Sequence, residues 1–145
     1  MFLSEYSHSM DIKGRVALPA EFREQLGSEC VVAAGFDACL TVYSIDVWED
    51  VVNNLMKLSS FNSKARGVQR AIIKNAKRLS FDKQGRILIP KGLRDYASIQ
   101  KEVKVIGVGR RIEIWDKRKL DEQQLSAEEF SDLAESLDLP MDFTI

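Results

Sequence analysis

The sequence predicts an α+β protein, mainly β, in which one small module of short strands is used twice and the two copies share a core. Three observations carry that prediction. A segment recurs 71 positions further along the chain, β-favouring runs in each copy begin at a Gly-containing turn and stop at proline, and the period becomes helical between and after the copies.

The recurrence is gapless at its centre. Asp11-Ile-Lys-Gly-Arg15-Val-Ala-Leu-Pro19-Ala-Glu-Phe22-Arg23 lies over Asp82-Lys-Gln-Gly-Arg86-Ile-Leu-Ile-Pro90-Lys-Gly-Leu93-Arg94, with Asp, Gly, Arg, Pro and Arg identical. With one residue inserted, Val31 to Gly35 continues over Val103 to Gly107, and Leu40 to Tyr43 over Ile112 to Trp115. The first module therefore spans 5–47 and the second 76–119, with a helical connector at 48–75 and a C-terminal helix and tail at 120–145. In a chain of 145 residues, two units this small need each other's apolar surface, so they are expected to interlock in one β-barrel-like core.

Within each copy the elements follow from residue type. Gly14 and Gly85 suit a turn that needs positive φ, and the Arg-Val-Ala-Leu and Arg-Ile-Leu-Ile runs after them favour β, so a hairpin followed by a strand is expected. Pro19 and Pro90 fit the first position of a short helix, on which Phe22 with Leu26, or Leu93 with Ala97, share a face. Gly27 ends the first of these helices. Strands are then expected over 30–34 and 40–43, and over 102–108 and 111–115, each pair joined by a short Gly-containing link. Asp46 to Glu49 resembles a capping box for a connector helix whose stripe is Trp48, Val51, Val52, Leu55 and Met56. Ser126 to Glu129 repeats that signal before Phe130, Leu133, Ala134 and Leu137, and Pro140 ends the helix, leaving 141–145 as a loose tail.

Composition limits the function classes. Hydrophobic residues make up 45% and charged residues 30%, and no apolar run reaches the roughly 18 residues of a membrane span. The N-terminus has neither the basic stretch nor the apolar segment of a secretory signal, which reads as cytoplasmic. Cys30 and Cys39 are too few for a disulfide framework or a four-ligand zinc site, and His8 is the only histidine. No nucleophile, base or metal constellation is found, so no enzyme, cofactor or small-molecule substrate is expected. Phe22, Phe36 and Tyr43 read as core, which argues against a single-strand nucleic-acid binder.

The net charge of −1 conceals opposite halves. Lys64, Arg66, Arg70, Lys74, Lys77 and Arg78 form a stretch without acids, whereas Asp121, Glu122, Glu128, Glu129, Asp132, Glu135, Asp138 and Asp142 follow without a cation. The basic stretch faces DNA or pairs with the acidic helix of the same or an adjacent chain; pairing is the favoured reading. In the repeated turn, Asp and Arg at the two ends can pair and fix the loop. An arginine so oriented is also suited to grip guanine through O6 and N7. Lys13 and Lys83 are phosphate contacts or solvated charges, and Gln84 reaches a base edge or water.

The two Asp-x-x-Gly-Arg turns, each with its apolar step and proline, resemble the MraZ family. So do the opening Met1 to His8, the segment Gly35 to Tyr43 with Trp48 after it, and Val105 to Trp115, in that order along nearly the whole chain. The resemblance implies two tandem SpoVT-AbrB modules in a swapped-hairpin β-barrel with flanking helices. It further implies ring-shaped homo-oligomers that present their turns to double-stranded DNA. The implied role is sequence-specific transcriptional regulation at direct repeats upstream of the division and cell wall gene cluster, own gene included, with nucleoid association. The DNA-contacting arginines fall on Arg15 and Arg86, with Lys13 beside the first; Lys83 is added from its place in the second turn. Asp11, Gly14, Asp82 and Gly85 position the turns. Gln84 stands where the first copy has Lys13, so the turns need not contribute equally, and Arg15 is the stronger candidate. The alternative is a ring-forming structural or protein-interaction module in which both Asp–Arg pairs are purely internal.

Overall fold

Strand pairing joins the two copies instead of closing each on itself. The structure, a computed structural model, describes residues 1–139, so the tail expected at 141–145 and the Pro140 stop lie outside the described residues. The first copy contributes β1 (Glu5–Ser9), β2 (Arg15–Ala17), α1 (Ala20–Leu26), β3 (Glu29–Ala34) and β4 (Leu40–Tyr43). Helices α2 (Ile45–Leu55) and α3 (Ser63–Ile73) form the connector. The second copy contributes β5 (Lys77–Ser80), β6 (Arg86–Leu88), α4 (Lys91–Tyr96), β7 (Glu102–Val108) and β8 (Arg111–Asp116), before α5 (Lys117–Gln123) and α6 (Ala127–Ser136).

Six strands form an antiparallel sheet in the order β1-β7-β8-β4-β3-β5, and β2 pairs with β6 in a separate ribbon. Exchanging every strand for its counterpart reverses the order, so the pairing has two-fold symmetry. Its axis passes between Thr41 and Glu113 in the sheet and between Val16 and Ile87 in the ribbon. Phe22, Leu93, Val16, Ile87, Val32 and Val105 from both copies are all buried in one cluster. Burying a side chain of this size contributes about 1.5–3 kcal/mol relative to leaving it in water, and neither copy encloses that cluster alone.

Three expectations are corrected by this topology. The expected hairpin does not form: the Asp11 turn closes locally, but β1 continues to β7 and β2 to β6. The barrel does not close either, because β1 and β5 remain sheet edges and the ribbon stays apart. The ribbon strands are three residues long, and the prolines that follow them have no N–H with which to extend a ladder. The third correction is one of register. His8 pairs with Val103 and Leu79 with Cys30, so the counterpart of Val103 is Cys30, not Val31. Cys30 and Val32, like Val103 and Val105, point into the shared core. Strand β3 is apolar on both faces because α2 and α3 pack against it, so its sequence lacks the alternation that sets register.

Helix ends differ by small steps. Pro19 and Pro90 occupy the N-cap instead of the first helical position, and Gly27 caps α1 at φ 87° as expected. Ser44, not Asp46, caps α2, accepting the Val47 N–H, while Asp46 lies in the first turn. The Ser126–Glu129 capping box of α6 forms in both directions. Phe22 is core and Tyr43 is half-buried against Trp48, but Phe36 is 80% exposed, against expectation. The local chain path explains it: Asp37 and Ala38 take positive φ in a 3-10 turn that lifts the ring off the sheet.

Candidate nucleic-acid interface

The two Asp-x-x-Gly-Arg turns have the same internal wiring. In the first, Asp11 Oδ1 accepts the N–H of Lys13 (3.0 Å) and of Arg15 (2.8 Å), while Oδ2 accepts the Arg15 Nε–H at 2.6 Å. In the second, Asp82 Oδ1 accepts the N–H of Gln84 and of Arg86, and Oδ2 the Arg86 Nε–H, all at 2.9 Å. Gly14 and Gly85 sit at φ 91° and 73°, which side-chain-bearing residues rarely adopt. The Arg15 amide in one turn and the Arg86 amide in the other hold the aspartate carboxyls below the usual carboxylate range, with the guanidinium adding to the effect.

This wiring uses each arginine's Nε–H, and among the described residues the terminal nitrogens of both make no hydrogen bond, with the Arg15 and Arg86 side chains 33% and 27% exposed. A planar fork with two free donors is the group that grips a guanine edge or a phosphate. The turns also touch each other: Arg86 Nη1 stands 3.6 Å from Asp11 Oδ2. The ribbon aligns them, with the Ile89 N–H donating to the Gly14 carbonyl (2.9 Å) and the Leu18 N–H to the Gly85 carbonyl (3.2 Å). Lys13 and Lys83 project from the turn tips, exposed and outside every ion pair among the described residues.

Two residues with no role assigned from the sequence belong to this arrangement. Arg23 on α1 lies against Gly85, and Arg94 on α4 against Gly14, so each copy's helix covers the other copy's turn. Their identity across the repeat was the available signal. The basic stretch lies elsewhere. Arg78 pairs with Glu29 at 2.7 Å, and among the described residues no ion pair joins the stretch to α6, so the expected pairing is not made there within one chain. Burial pushes the Cys30 and Cys39 thiols up to about 12, far from a reactive thiolate. Among the described residues no group of three or more His, Cys, Asp or Glu is placed to hold a metal ion, and no helix is long and apolar enough to cross a membrane.

Comparison with known proteins accounts for the whole repeat. The sequence pattern of the family described as "MraZ protein, putative antitoxin-like" matches residues 1–71 and again 72–139. A protein of Finegoldia magna named transcriptional regulator MraZ is 44% identical over 138 residues, covering 94% of this chain and 96% of its own. Proteins of the same name from Natranaerobius thermophilus and Pediococcus pentosaceus are 42% and 45% identical. The first is covered along its full length together with this chain, and the second over 96% of its own length and 94% of this one.

Proposed function

The chain belongs to the MraZ family, and on that premise we propose that it is a DNA-binding transcriptional regulator, not an enzyme, whose two turns act as one reading edge. The observation that carries the reading is the shared wiring of Arg15 and Arg86. Each guanidinium is oriented by its own aspartate, and Arg86 reaches the aspartate of the other turn. Arg15 and Arg86 contact bases, Lys13 and Lys83 contact phosphates, and Asp11, Gly14, Asp82 and Gly85 hold the turns in shape.

In this reading residues 5–47 and 76–119 are tandem SpoVT-AbrB modules whose strands pair across the two copies, 48–75 joins them, and 120–145 follows the second. The target is double-stranded DNA carrying direct repeats upstream of the division and cell wall gene cluster, and the protein works in the cytoplasm on the nucleoid. One turn pair binds weakly. A ring of copies engages several repeats together and gains affinity through effective concentration.

A gel-shift titration on the DNA upstream of the protein's own gene tests this. Arg15→Ala should cost about 1–3 kcal/mol per engaged subunit and relax sequence preference. Lys13→Ala should weaken all sequences alike and flatten the salt dependence. Unchanged binding by Arg15→Ala would overturn the base-contact assignment. Absence of binding even at low salt would favour the interaction module with purely internal Asp–Arg pairs.

A further inference from the structure

Phe36 and Tyr96 bring two aromatic rings to one groove, beside a helix that carries cations and no acid. The groove has a volume of about 370 Å³, and Val68, Ile72, Lys74 and Asn75 line it with them. Phe36 is 80% exposed and Tyr96 42%.

The rings are held there by the backbone. Asp37 and Ala38 take φ 65° and 57°, a left-handed conformation that residues with side chains adopt at a cost. The Gly35 N–H donates to the Cys39 carbonyl at 2.8 Å, and the Tyr96 hydroxyl donates to the Gly35 carbonyl, so the Phe36 loop is tied to α4. The Tyr96 hydroxyl is thereby occupied, and both residues offer the groove ring surface. An aromatic ring kept in solvent by a strained, tied loop marks an interaction surface.

The groups around the rings select the partner. Lys64 falls on the same face of α3 as Val68 and Ile72, four residues apart in turn, and Lys74 lies at the rim. Lys64, Arg66, Arg70, Lys74 and Lys77 are all exposed, and none makes an ion pair among the described residues. Asp37, the acid next to Phe36, lines an adjoining cavity instead of this groove. Exposed rings beside unpaired cations are the parts of a platform for single-stranded nucleic acid. Rings stack on unpaired bases, cations follow the phosphates, and an amide such as that of Asn75 meets a base edge. Base faces in a duplex are covered by their neighbours, so a duplex does not fit this platform.

We propose that the groove binds single-stranded RNA, with Phe36 and Tyr96 stacking on bases and Lys64 and Lys74 holding the backbone. The choice of RNA over a DNA strand rests on the DNA reading above: DNA on the turns stays paired, and the unpaired strand made at a regulated gene is its transcript. No residue of either Asp-x-x-Gly-Arg turn lines the groove, so the two nucleic acids use different residues.

Fluorescence anisotropy of the full-length protein with a labelled, unstructured RNA of about 12 nucleotides tests this. The DNA strand of the same sequence and the duplex from upstream of the protein's own gene are the other arms. Wild type should bind the RNA at least as tightly as the DNA strand, with log affinity falling linearly in log salt. Phe36→Ala and Phe36→Leu should each weaken RNA binding about 5- to 150-fold, because leucine keeps apolar bulk but has no ring, while Phe36→Trp should retain it. Lys64→Ala with Lys74→Ala should flatten the salt dependence. These positions are exposed, so the circular dichroism spectrum and duplex binding should not change, and Arg15→Ala should leave RNA binding intact. No RNA binding at low salt overturns the proposal, as does RNA binding that survives Phe36→Ala or is lost with Arg15→Ala; each leaves the DNA reading standing. Unchanged RNA affinity with a changed eluting mass in Phe36→Ala assigns the groove to a protein contact and overturns it equally. Tighter binding of the DNA strand than of the RNA overturns RNA as the occupant. Wild type that binds RNA through Phe36 but fails to bind the upstream duplex overturns the DNA reading and supports the groove as an RNA site.

Discussion

Arg94 of the second copy lies across Gly14 of the first so closely that a methyl group on Gly14 would stand 2.9 Å from its guanidinium carbon. The mirror contact is tighter, with Arg23 2.5 Å from the same atom on Gly85. Each turn is therefore shaped by its own glycine and covered by the other copy's helix.

Gly14→Ala and Gly85→Ala should each lower unfolding free energy by about 1–3 kcal/mol through the positive φ alone. Gly85→Ala should cost more. The Arg23 Nε–H is committed to the Leu18 carbonyl at 3.1 Å and cannot swing aside freely, whereas Arg94 Nε has no partner to lose. Urea unfolding ranks the two; adding Arg94→Ala to Gly14→Ala should relieve only the steric part.

Asp11 serves both arginines and Asp82 one, since only Asp11 lies within 3.6 Å of the neighbouring turn's Arg86. Asp11→Asn should therefore reduce DNA binding more than Asp82→Asn while both variants stay folded. Equal losses in a gel shift would count against a coupled pair of turns.

The acid limb of stability should depend on these carboxyls. Both have folded values below the ordinary 3.8, so in that window the unfolded chain binds more protons and stability rises with pH. Their contribution is complete above the ordinary carboxylate value and is lost as pH falls through the depressed one. Melting temperature followed downward from about pH 4 should fall less steeply in the Asp11→Asn, Asp82→Asn double variant than in the parent.

Ile87 faces Val16 at the two-fold centre of the ribbon, and both are fully buried. Ile87→Ala should cost about 2–5 kcal/mol. Ile12→Ala, at a turn position 99% exposed, should stay within about 0.5 kcal/mol. Urea denaturation of the two variants checks the contrast.

Cys30 and Cys39 should resist a disulfide reagent at pH 8 in the folded protein and react at once in denaturant, because burial raises both thiols to about 12. Fast reaction in the native state would contradict their placement in the core.

The turns were legible because their information is local. Asp, Gly and Arg at fixed spacing dictate the positive φ and the carboxylate cage whatever the rest of the chain does. Strand extents were legible too, since Gly turns and prolines bound them. Phe36 was misread because its composition is that of a core residue. Only the path of Gly35 to Cys39 over the finished sheet exposes it.

What the sequence by itself determined is the repeated module: its turn, its short strands, its proline-started helix and the arginine each turn orients. Local backbone preference and a 71-residue recurrence carry all of that. Tertiary structure decided the partners, sending β1 to β7, β3 to β5 and β2 to β6, setting Cys30 opposite Leu79, and placing Arg23 and Arg94 on each other's turns. The physical reason is that a small module cannot bury its own apolar face, and which partner buries it depends on contacts between residues about 45 to 100 positions apart.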